Sequence, residues 1–395
     1  MKVIFLKYIA NSILIILVIL SVYVGFNRAL NKTIGSRDFR WSTSKLLLEK
    51  QNPYQKFFEW KEDKIEKPYK LSQAPNYPAS ALIFLWPLAS LNWERAILSW
   101  AILNVVFTFL IVLGLQKLYP INNKQNLFFV VVLFIIGSSW RTHLGNGQHT
   151  LFVLAFFIWA VIFSKKNKII AGVFLAVSWF KYSITFPLSL FFLNKKNYKI
   201  LIISGLIHVL LTVFVSGWIN QSIFDFFLGP VKVALQTTGL GEVDFVGIIQ
   251  KYSLPEFVAI LLGALLFFLT YKILVNKKKV ILELLLISFF ALLSMVLFFH
   301  LAYDFVVLIF PLWYLFSVEK INREFKILTI VLVGLQWFII PSIYLLSPII
   351  NSQLIINIEL ILNVVKTVIF YLLLFVIVRN STNFMIIGFK FISRH

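Results

Sequence analysis

A polar segment that combines a carboxylate with two cations follows the first hydrophobic stretch of this chain. It runs from Gly35 to Trp41 and contains Arg37, Asp38 and Arg40. Charged residues beside a membrane are expensive and are usually kept for function or for topology. A carboxylate can take the proton of an attacking hydroxyl, and cations can stabilise a departing phosphate, which needs no general acid. This combination suits the transfer of a group from a lipid phosphate to a hydroxyl.

Lys181 is a second candidate, because it lies between two aromatic residues inside an apolar stretch. At the centre of a bilayer a lysine costs about 2.5–3.5 kcal/mol on insertion scales. A lipid phosphate would offset this cost; the alternative is that the side chain reaches the membrane surface. The turn from Arg141 to His149 includes Gln148 and offers a cation with amide and imidazole donors, or else is a capped loop.

An imidazole, a phenol and a carboxylate occur together in His300, Tyr303 and Asp304, where two apolar segments meet. A single histidine at a helix end is usually structural, but this grouping favours a functional site. Glu242 and Asp244 lie in a glycine-rich segment, and we expect solvent to cover them.

Other polar residues within apolar runs have two interpretations. We interpret His208 as a packing residue, because it lies in the middle of an apolar run. Charged residues in membrane segments can also line a transport path. The candidates for such a path are Glu283, Glu359 and Lys366.

Composition is typical of a polytopic helical membrane protein. Hydrophobic residues make up 60% of the 395 residues, and apolar runs long enough to cross a bilayer recur throughout. The chain has no cysteine, which excludes thiolate metal ligands. We expect neither a metal nor a cofactor, since no metal-binding or nucleotide-binding motif occurs in the sequence. The net charge of +21 comes mainly from lysine clusters between apolar runs, which favours an anionic membrane surface over nucleic acid.

The lysine clusters predict the topology, because they mark the cytoplasmic side. They leave about twelve transmembrane helices, with both termini cytoplasmic, in one domain over residues 1–395. The two extracytoplasmic loops are 27–95 and 217–253. In the first loop we expect a helix from Arg37 to Lys50 that lies flat on the membrane surface with Asp38 in its first turn. An apolar segment from Tyr77 to Ser90 is too short to span, so we expect it to be re-entrant or interfacial.

A helical hairpin is predicted from Ile169 to Leu193, because lysine clusters flank this stretch on both sides. Each arm has about a dozen residues, or about 18 Å of helix. The tip, which contains Lys181, should therefore lie within the membrane.

Short motifs follow one another in a characteristic order between residues 36 and 313. They are Asp38 before a leucine-rich helix, Asn52 to Tyr54, Tyr77 and Pro78 leading to Trp86 to Leu88, Gly147 with Gln148, Ala171 to Pro187 around Lys181, and His300 with Tyr303 and Asp304. In this order the chain resembles the GT-C glycosyltransferases. It is most similar to glycosyltransferase family 87, which contains polyprenyl-phosphate-mannose-dependent mannosyltransferases.

The resemblance implies an all-α integral membrane bundle of GT-C type. It implies Asp38 as the catalytic base and His300 as a second catalytic residue. The donor phosphate and the substrate would be held by a wider set: Lys181, Arg37, Arg40, Arg141, Gln148, Tyr54, Tyr303 and Asp304.

These features lead us to expect an enzyme of the cytoplasmic membrane whose site faces the outside. It would move a hexose, with mannose first, from a polyprenyl-phosphate sugar to a hydroxyl of a lipid or glycan acceptor, with inversion. Its partners would be membrane lipids, this donor and this acceptor, and not nucleic acid. Two alternatives stay open. One is a transporter or flippase of lipid-linked saccharides, for which Asp38 would be dispensable. The other is a glycan polymerase or ligase that acts on diphosphate-linked oligosaccharides.

Overall fold

Every regular element among the described residues is helical. The computed structural model describes residues 2–31, 38–61, 74–237, 242–251, 253, 255–275, 283–345 and 352–392. Within these residues six helices are long and apolar enough to cross a membrane, or seven if Lys124–Ile136 and Ser138–Asn146 count as one bent span. The chain is therefore an all-helical membrane protein, and the expected number of about twelve spans stays a prediction.

The helices in chain order are α1 (Lys2–Leu30), α2 (Trp41–Leu48), α3 (Pro53–Lys61), α4 (Ala79–Leu82), α5 (Trp86–Ala89), α6 (Trp93–Leu118), α7 (Lys124–Ile136), α8 (Ser138–Asn146), α9 (Thr150–Ser164), α10 (Lys168–Ser178), α11 (Tyr182–Asn194), α12 (Tyr198–Ile219), α13 (Ile223–Thr237), α14 (Phe245–Lys251), α15 (Glu256–Val275), α16 (Glu283–Leu297), α17 (Ile309–Ser317), α18 (Arg323–Gly334), α19 (Ile340–Leu345) and α20 (Ser352–Ile392). They form two compact units. Unit 1 comprises residues 1–118 and 140–238, and unit 2 comprises residues 119–139 and 239–395.

Asparagine side chains begin several of these helices. Asn123, Asn167 and Asn322 each accept hydrogen bonds from the two backbone N–H groups at the start of α7, α10 and α18. An N-cap of this type satisfies donors that the first helical turn leaves open. Asn167 lies inside a lysine cluster, so the same few residues both start the helix and carry the positive charge.

The contacts in unit 1 agree with the expected hairpin. The arms α10 and α11 have 11 and 13 residues, and a 3₁₀ turn, Trp179–Lys181, joins them. Trp179 Nε1 donates a hydrogen bond to Ser189 Oγ over 2.8 Å. In one straight helix ten residues would separate these two positions by about 15 Å. Residues 168–194 meet the length and composition criteria for a single span, but this contact requires the chain to reverse.

The register between α10 and α12 gives the same result. Ser204 Oγ donates to the Gly172 carbonyl over 2.9 Å, and His208 Nε2 donates to the Ala176 carbonyl over 2.8 Å. The two helices therefore run parallel, and α11 must return from the end of α10 to the start of α12. Consequently the lysine clusters at 165–168 and 195–199 lie at one end of these helices, and Lys181 lies at the other.

His208 is a packing residue, as expected from the sequence. Because its Nε2 donates to a carbonyl, its Nδ1 can accept the hydrogen bond from Ser80 Oγ at 2.8 Å. Both ring nitrogens are thus satisfied, as buried polar groups usually are. This histidine links α12 to the apolar segment that begins at Tyr77.

That apolar segment consists of α4, a 3₁₀ turn at Ile83–Leu85, and α5. It packs along the second half of α12, with Ser80 beside His208 and the Trp86 ring 5.9 Å from the Trp218 ring. Its helical part, Ala79–Ala89, is a short apolar helix. This placement agrees with the expectation that the segment does not cross the membrane.

One prediction for the first predicted loop is wrong, namely the start of its helix. The helix expected from Arg37 begins at Trp41, so Asp38 precedes it instead of lying in its first turn. This helix is also mostly buried, because Ser44 Oγ donates to the Leu82 carbonyl and Trp41 Nε1 donates to the Leu91 carbonyl. It therefore packs against the apolar segment. The second loop, 217–253, contains α13 and α14.

Candidate active site

A turn at residues 146–150 positions the candidate base. The backbone N–H of Asp38 donates to the Asn146 carbonyl over 3.1 Å, and the Asp38 side chain is buried. Gly147 has a φ of +69°, and a Cβ there would lie 2.8 Å from Phe39 Cβ. Only glycine adopts this conformation at no steric cost. The close approach of Phe39 to this turn is what fixes Asp38.

The same turn holds the candidate lysine. Lys181 is buried, and its Nζ donates to Gln148 Oε1 over 3.3 Å and to Thr150 Oγ1 over 3.1 Å. Of these two partners the sequence indicated Gln148 and missed Thr150. Asp38 and Lys181 are thus attached to one turn of five residues, although 143 positions separate them in the chain.

Arg40 is a buried cation whose partners are neutral. Its guanidinium donates to the Ala74 carbonyl and to Asn76 Oδ1, both over 3.2 Å, and lies 4.7 Å from the centre of the Tyr77 ring. Within the described part of the chain, its Nε has no hydrogen-bond partner and no carboxylate forms an ion pair with it. Buried charges are normally paired. Arg40 is therefore prepared to bind an anion.

Aromatic rings surround His149 and form the wall of this site. The rings of Phe39, Tyr77, Trp100 and Phe180 have centroids 4.6–6.1 Å from the imidazole. Trp100 Nε1 donates to the Gly147 carbonyl over 3.0 Å, which ties the cage to the turn. The sequence did not reveal this cage, since its five members come from five separate stretches of chain. Its packing holds the backbone near Asp38 in one arrangement.

Tyr54 stabilises the opposite wall. Its hydroxyl donates to the Tyr77 carbonyl over 2.7 Å, and its side chain is buried. Burial, and to a smaller degree Tyr182, raises the pKa of Tyr54 well above its ordinary value. The hydroxyl therefore stays neutral and acts as a donor that positions Tyr77.

Of the predicted site residues that the structure describes in unit 1, Arg141 is not joined to this group by a hydrogen bond. Arg141 is half-buried in α8, close to Arg28 of α1. In the described part of the chain, it forms no hydrogen bond with Gln148 or Lys181. Arg37 lies outside the described residues.

Unit 2 contains a buried histidine–aspartate pair. His300 Nδ1 and Asp304 Oδ2 are 2.8 Å apart, and both side chains are almost fully buried. An ionised carboxylate only accepts hydrogen bonds, so Nδ1 carries the proton. Among the described residues His300 Nε2 has no hydrogen-bond partner. Tyr303, next to Asp304 in the same 3₁₀ helix, is also buried.

The expectation that Glu242 and Asp244 are solvated is wrong. Glu242 Oε2 accepts from Lys366 Nζ over 2.6 Å, and the Lys366 side chain is fully buried. The Glu242 N–H donates to the His300 carbonyl over 3.0 Å. Asp244 is buried, and its Oδ1 accepts from the Gly247 N–H. Lys366 draws Glu242 out of solvent, because a buried ammonium needs a carboxylate as its partner. This pairing also gives Lys366 a structural role in unit 2.

No group of three or more histidine, aspartate or glutamate residues among those that the structure describes is arranged to hold a metal ion. The candidate site residues include one buried carboxylate and two buried cations in unit 1 and a buried imidazole–carboxylate pair in unit 2. A carboxylate beside cations is suited to proton abstraction near an anionic leaving group.

Comparison with known proteins gives a family. Neither a curated protein nor a solved structure matches the chain. The model of glycosyltransferase family 87 matches residues 76–298, which is more than half of the chain. The matched residues include Gln148 and Lys181, whereas Asp38 and His300 lie outside them. The helical membrane architecture and this match together show that the chain belongs to glycosyltransferase family 87.

Proposed function

We propose that this protein transfers a hexose, with mannose as the first candidate, from a polyprenyl-phosphate sugar to a hydroxyl of a lipid or glycan acceptor. Membership of a glycosyltransferase family supports the reaction class. The observation that carries the proposal is the turn at 146–150, to which both the Asp38 backbone and the Lys181 ammonium are bound. Arg40, buried against Tyr77, adds a second cation.

In the proposed reaction the acceptor oxygen bonds to the anomeric carbon as the bond from that carbon to the phosphate oxygen breaks. Asp38 takes the hydroxyl proton. The polyprenyl phosphate leaves with both electrons of the broken bond, and Arg40 and Lys181 stabilise its charge, so no general acid is needed. Attack from the face opposite the phosphate inverts the anomeric centre.

The remaining predicted residues have supporting roles in this proposal. His300 stays the second proposed catalytic residue on the strength of the family resemblance, and within unit 2 Asp304 accepts the hydrogen bond from its Nδ1. Gln148 orients Lys181, and Tyr54 orients Tyr77. No metal or cofactor takes part.

We also propose that the enzyme lies in the cytoplasmic membrane with about twelve spans, cytoplasmic termini and a site that faces outside. The positive-inside rule supports this orientation. The lysine clusters at 165–168 and 195–199 lie at the opposite end of α10 from Lys181.

Transfer of radiolabel from polyprenyl-phosphate-mannose tests the proposal, with purified protein and lipid extract from the native host as acceptor. Asp38→Asn should lower the rate by about 100-fold or more, since a general base contributes this much. The matched control is Glu94→Gln, an exposed carboxylate in the first turn of α6, which should keep the wild-type rate.

Full transfer by Asp38→Asn would remove Asp38 as the base. If the wild type transferred no sugar from any polyprenyl phosphate tried, the transporter alternative would move ahead.

A further inference from the structure

An open polar cleft lies between α3 and α13 in unit 1. Its volume is about 390 Å³, a size suited to a small organic group. Six of the residues that line it are Tyr54, Phe58, Glu59, Asp225, Gly229 and Lys232. Asp38, Arg40 and Lys181 do not line this cleft. Tyr54 is the lining residue that connects it to them, through Tyr77.

Tyr54 connects this cleft to the candidate active site. A Cβ on Gly229 would lie 2.5 Å from the Tyr54 ring, so only glycine allows α13 to pack this closely on α3. The Tyr54 hydroxyl donates to the Tyr77 carbonyl, and the other side of Tyr77 contacts Arg40 and His149. The cleft and the anion-binding residues therefore share one wall.

The charges in the cleft disfavour the anionic donor. Asp225 and Glu59 contribute two carboxylates, and Lys232 contributes one ammonium. Like charges repel, so a phosphate would be less stable here than beside Arg40 and Lys181. A neutral group fits better.

The side chains that line the cleft can form hydrogen bonds with the hydroxyl groups of a ligand. Among the described residues, Asp225 and Lys232 form no side-chain hydrogen bond or ion pair, and both are exposed at the mouth of the cleft. Glu59 is held in place by Lys56 at 3.0 Å and by Gln55 at 2.8 Å. A carboxylate accepts from hydroxyls, an ammonium donates to them, and the Phe58 ring offers an apolar face. This combination suits a saccharide.

The outer face of α13 indicates that the saccharide is attached to a lipid. Five apolar side chains of this helix are exposed at the spacing of one helical face. They are Phe224, Phe227, Leu228, Val231 and Leu235. A helix with one apolar and one polar face is suited to the membrane surface. The polar positions Asp225 and Lys232 lie beside this face, so the cleft opens next to lipid.

We propose that the cleft between α3 and α13 binds the saccharide head group of a membrane-anchored acceptor, whose lipid part lies along the apolar face of α13. This inference rests on the proposed function, because it assigns the acceptor of that reaction. It places the acceptor on the Tyr54 side of Tyr77 and the donor phosphate on the Arg40 side.

Photo-cross-linking tests the proposal without requiring transfer. The protein in lipid nanodiscs is labelled with a decyl mannoside and a decyl glucoside that carry a diazirine in the chain, and the labelled peptides are mapped by mass spectrometry. We expect labelling of residues 53–61 and 223–237 that excess decyl mannoside or decyl glucoside displaces and decyl phosphocholine does not. Asp225→Asn should lower this labelling at least fivefold, and Glu94→Gln should leave it unchanged.

Equal displacement by the phosphocholine would show a site for alkyl chains alone and overturn the proposal. Unchanged labelling in both Asp225→Asn and Lys232→Gln would overturn it too. The transfer assay with Asp38→Asn is separate, so a protein that binds glycosides in the cleft but transfers no sugar would refute the proposed function and not this site.

Discussion

At the scale of single residues, Arg40 is the group whose burial most needs an explanation. Among the residues that the structure describes, this buried guanidinium has neutral partners, so it keeps most of its desolvation cost. A bound phosphate would offset that cost with two parallel hydrogen bonds, which arginine is shaped to form. The position is thus more stable when an anionic substrate is present.

Arg40→Lys should lower the rate of transfer at low donor concentration by about tenfold, or 1.4 kcal/mol. A lysine keeps the charge but cannot hold the Ala74 carbonyl, Asn76 and a phosphate with one planar group. The measurement is the initial rate against donor concentration. Arg95→Lys, at an exposed position in α6, is the matched control. Equal rates for wild type and Arg40→Lys would show that Arg40 is only structural.

Gly147→Ala should lower both the unfolding temperature and the transfer rate. A left-handed backbone costs an alanine about 1–2 kcal/mol, and the new Cβ would lie 2.8 Å from Phe39 Cβ. Gly205→Ala in α12 is the control, since nothing lies within 4 Å of a Cβ there, and alanine favours a helix. Thermal unfolding of both variants decides the question, and a Gly147→Ala protein as stable as Gly205→Ala would contradict it.

At the scale of elements, an ion pair with a buried lysine attaches the segment before α14 to α20 in unit 2. Glu242 precedes α14, and Lys366 lies in the middle of a helix of 41 residues. The ammonium also lies 5.3 Å from the centre of the Phe305 ring. Because the Glu242 N–H donates to the His300 carbonyl as well, the ion pair holds this segment against His300.

Glu242→Gln should reduce the free energy of unfolding by about 3 kcal/mol, because it leaves a buried ammonium without a carboxylate. The double variant Glu242→Gln/Lys366→Met should recover at least half of this loss, since both charges are then gone. Denaturant unfolding of Glu242→Gln, Lys366→Met and the double variant gives the coupling free energy between the two side chains. Glu324→Gln, which breaks the exposed pair with Arg379, should change stability by no more than about 1 kcal/mol. Additive losses in the double variant would refute the coupling.

At the scale of the whole molecule, the hairpin determines which residues share a side of the membrane. Its two lysine clusters lie at one end of α10 and α12, while Ser222 follows the far end of α12. In the proposed function, the transfer chemistry and the acceptor cleft would lie on the side opposite the lysines.

Single-cysteine labelling checks this arrangement, and the absence of native cysteines makes the background clean. Lys166→Cys and Lys199→Cys should react with a membrane-impermeant maleimide from the same side, and Ser222→Cys from the other. All three positions are exposed. Reaction of Lys166→Cys and Lys199→Cys from opposite sides would make 168–194 a single span and refute the hairpin.

Several features could be predicted from the sequence alone, namely the helical membrane class, the family, and the hairpin with a lysine at its tip. These features depend on local hydropathy, on lysine clusters and on short motifs, which one stretch of chain carries by itself. The start of α2 was predicted wrongly, because a periodic pattern from Arg37 to Lys50 could not reveal that the Asp38 N–H binds the Asn146 carbonyl.

The contacts between distant groups could be seen only in the folded chain. Lys181 reaches a turn 31 residues earlier, Glu242 finds Lys366 124 residues later, and Asn52 bonds to Gln221 169 residues later. No local pattern records such pairs, because each depends on the packing of helices that lie far apart in the chain. Burial then sets their chemistry: it leaves Arg40 with neutral partners, pairs a glutamate that the sequence had placed in solvent, and opens the cleft where Gly229 allows α13 to approach Tyr54.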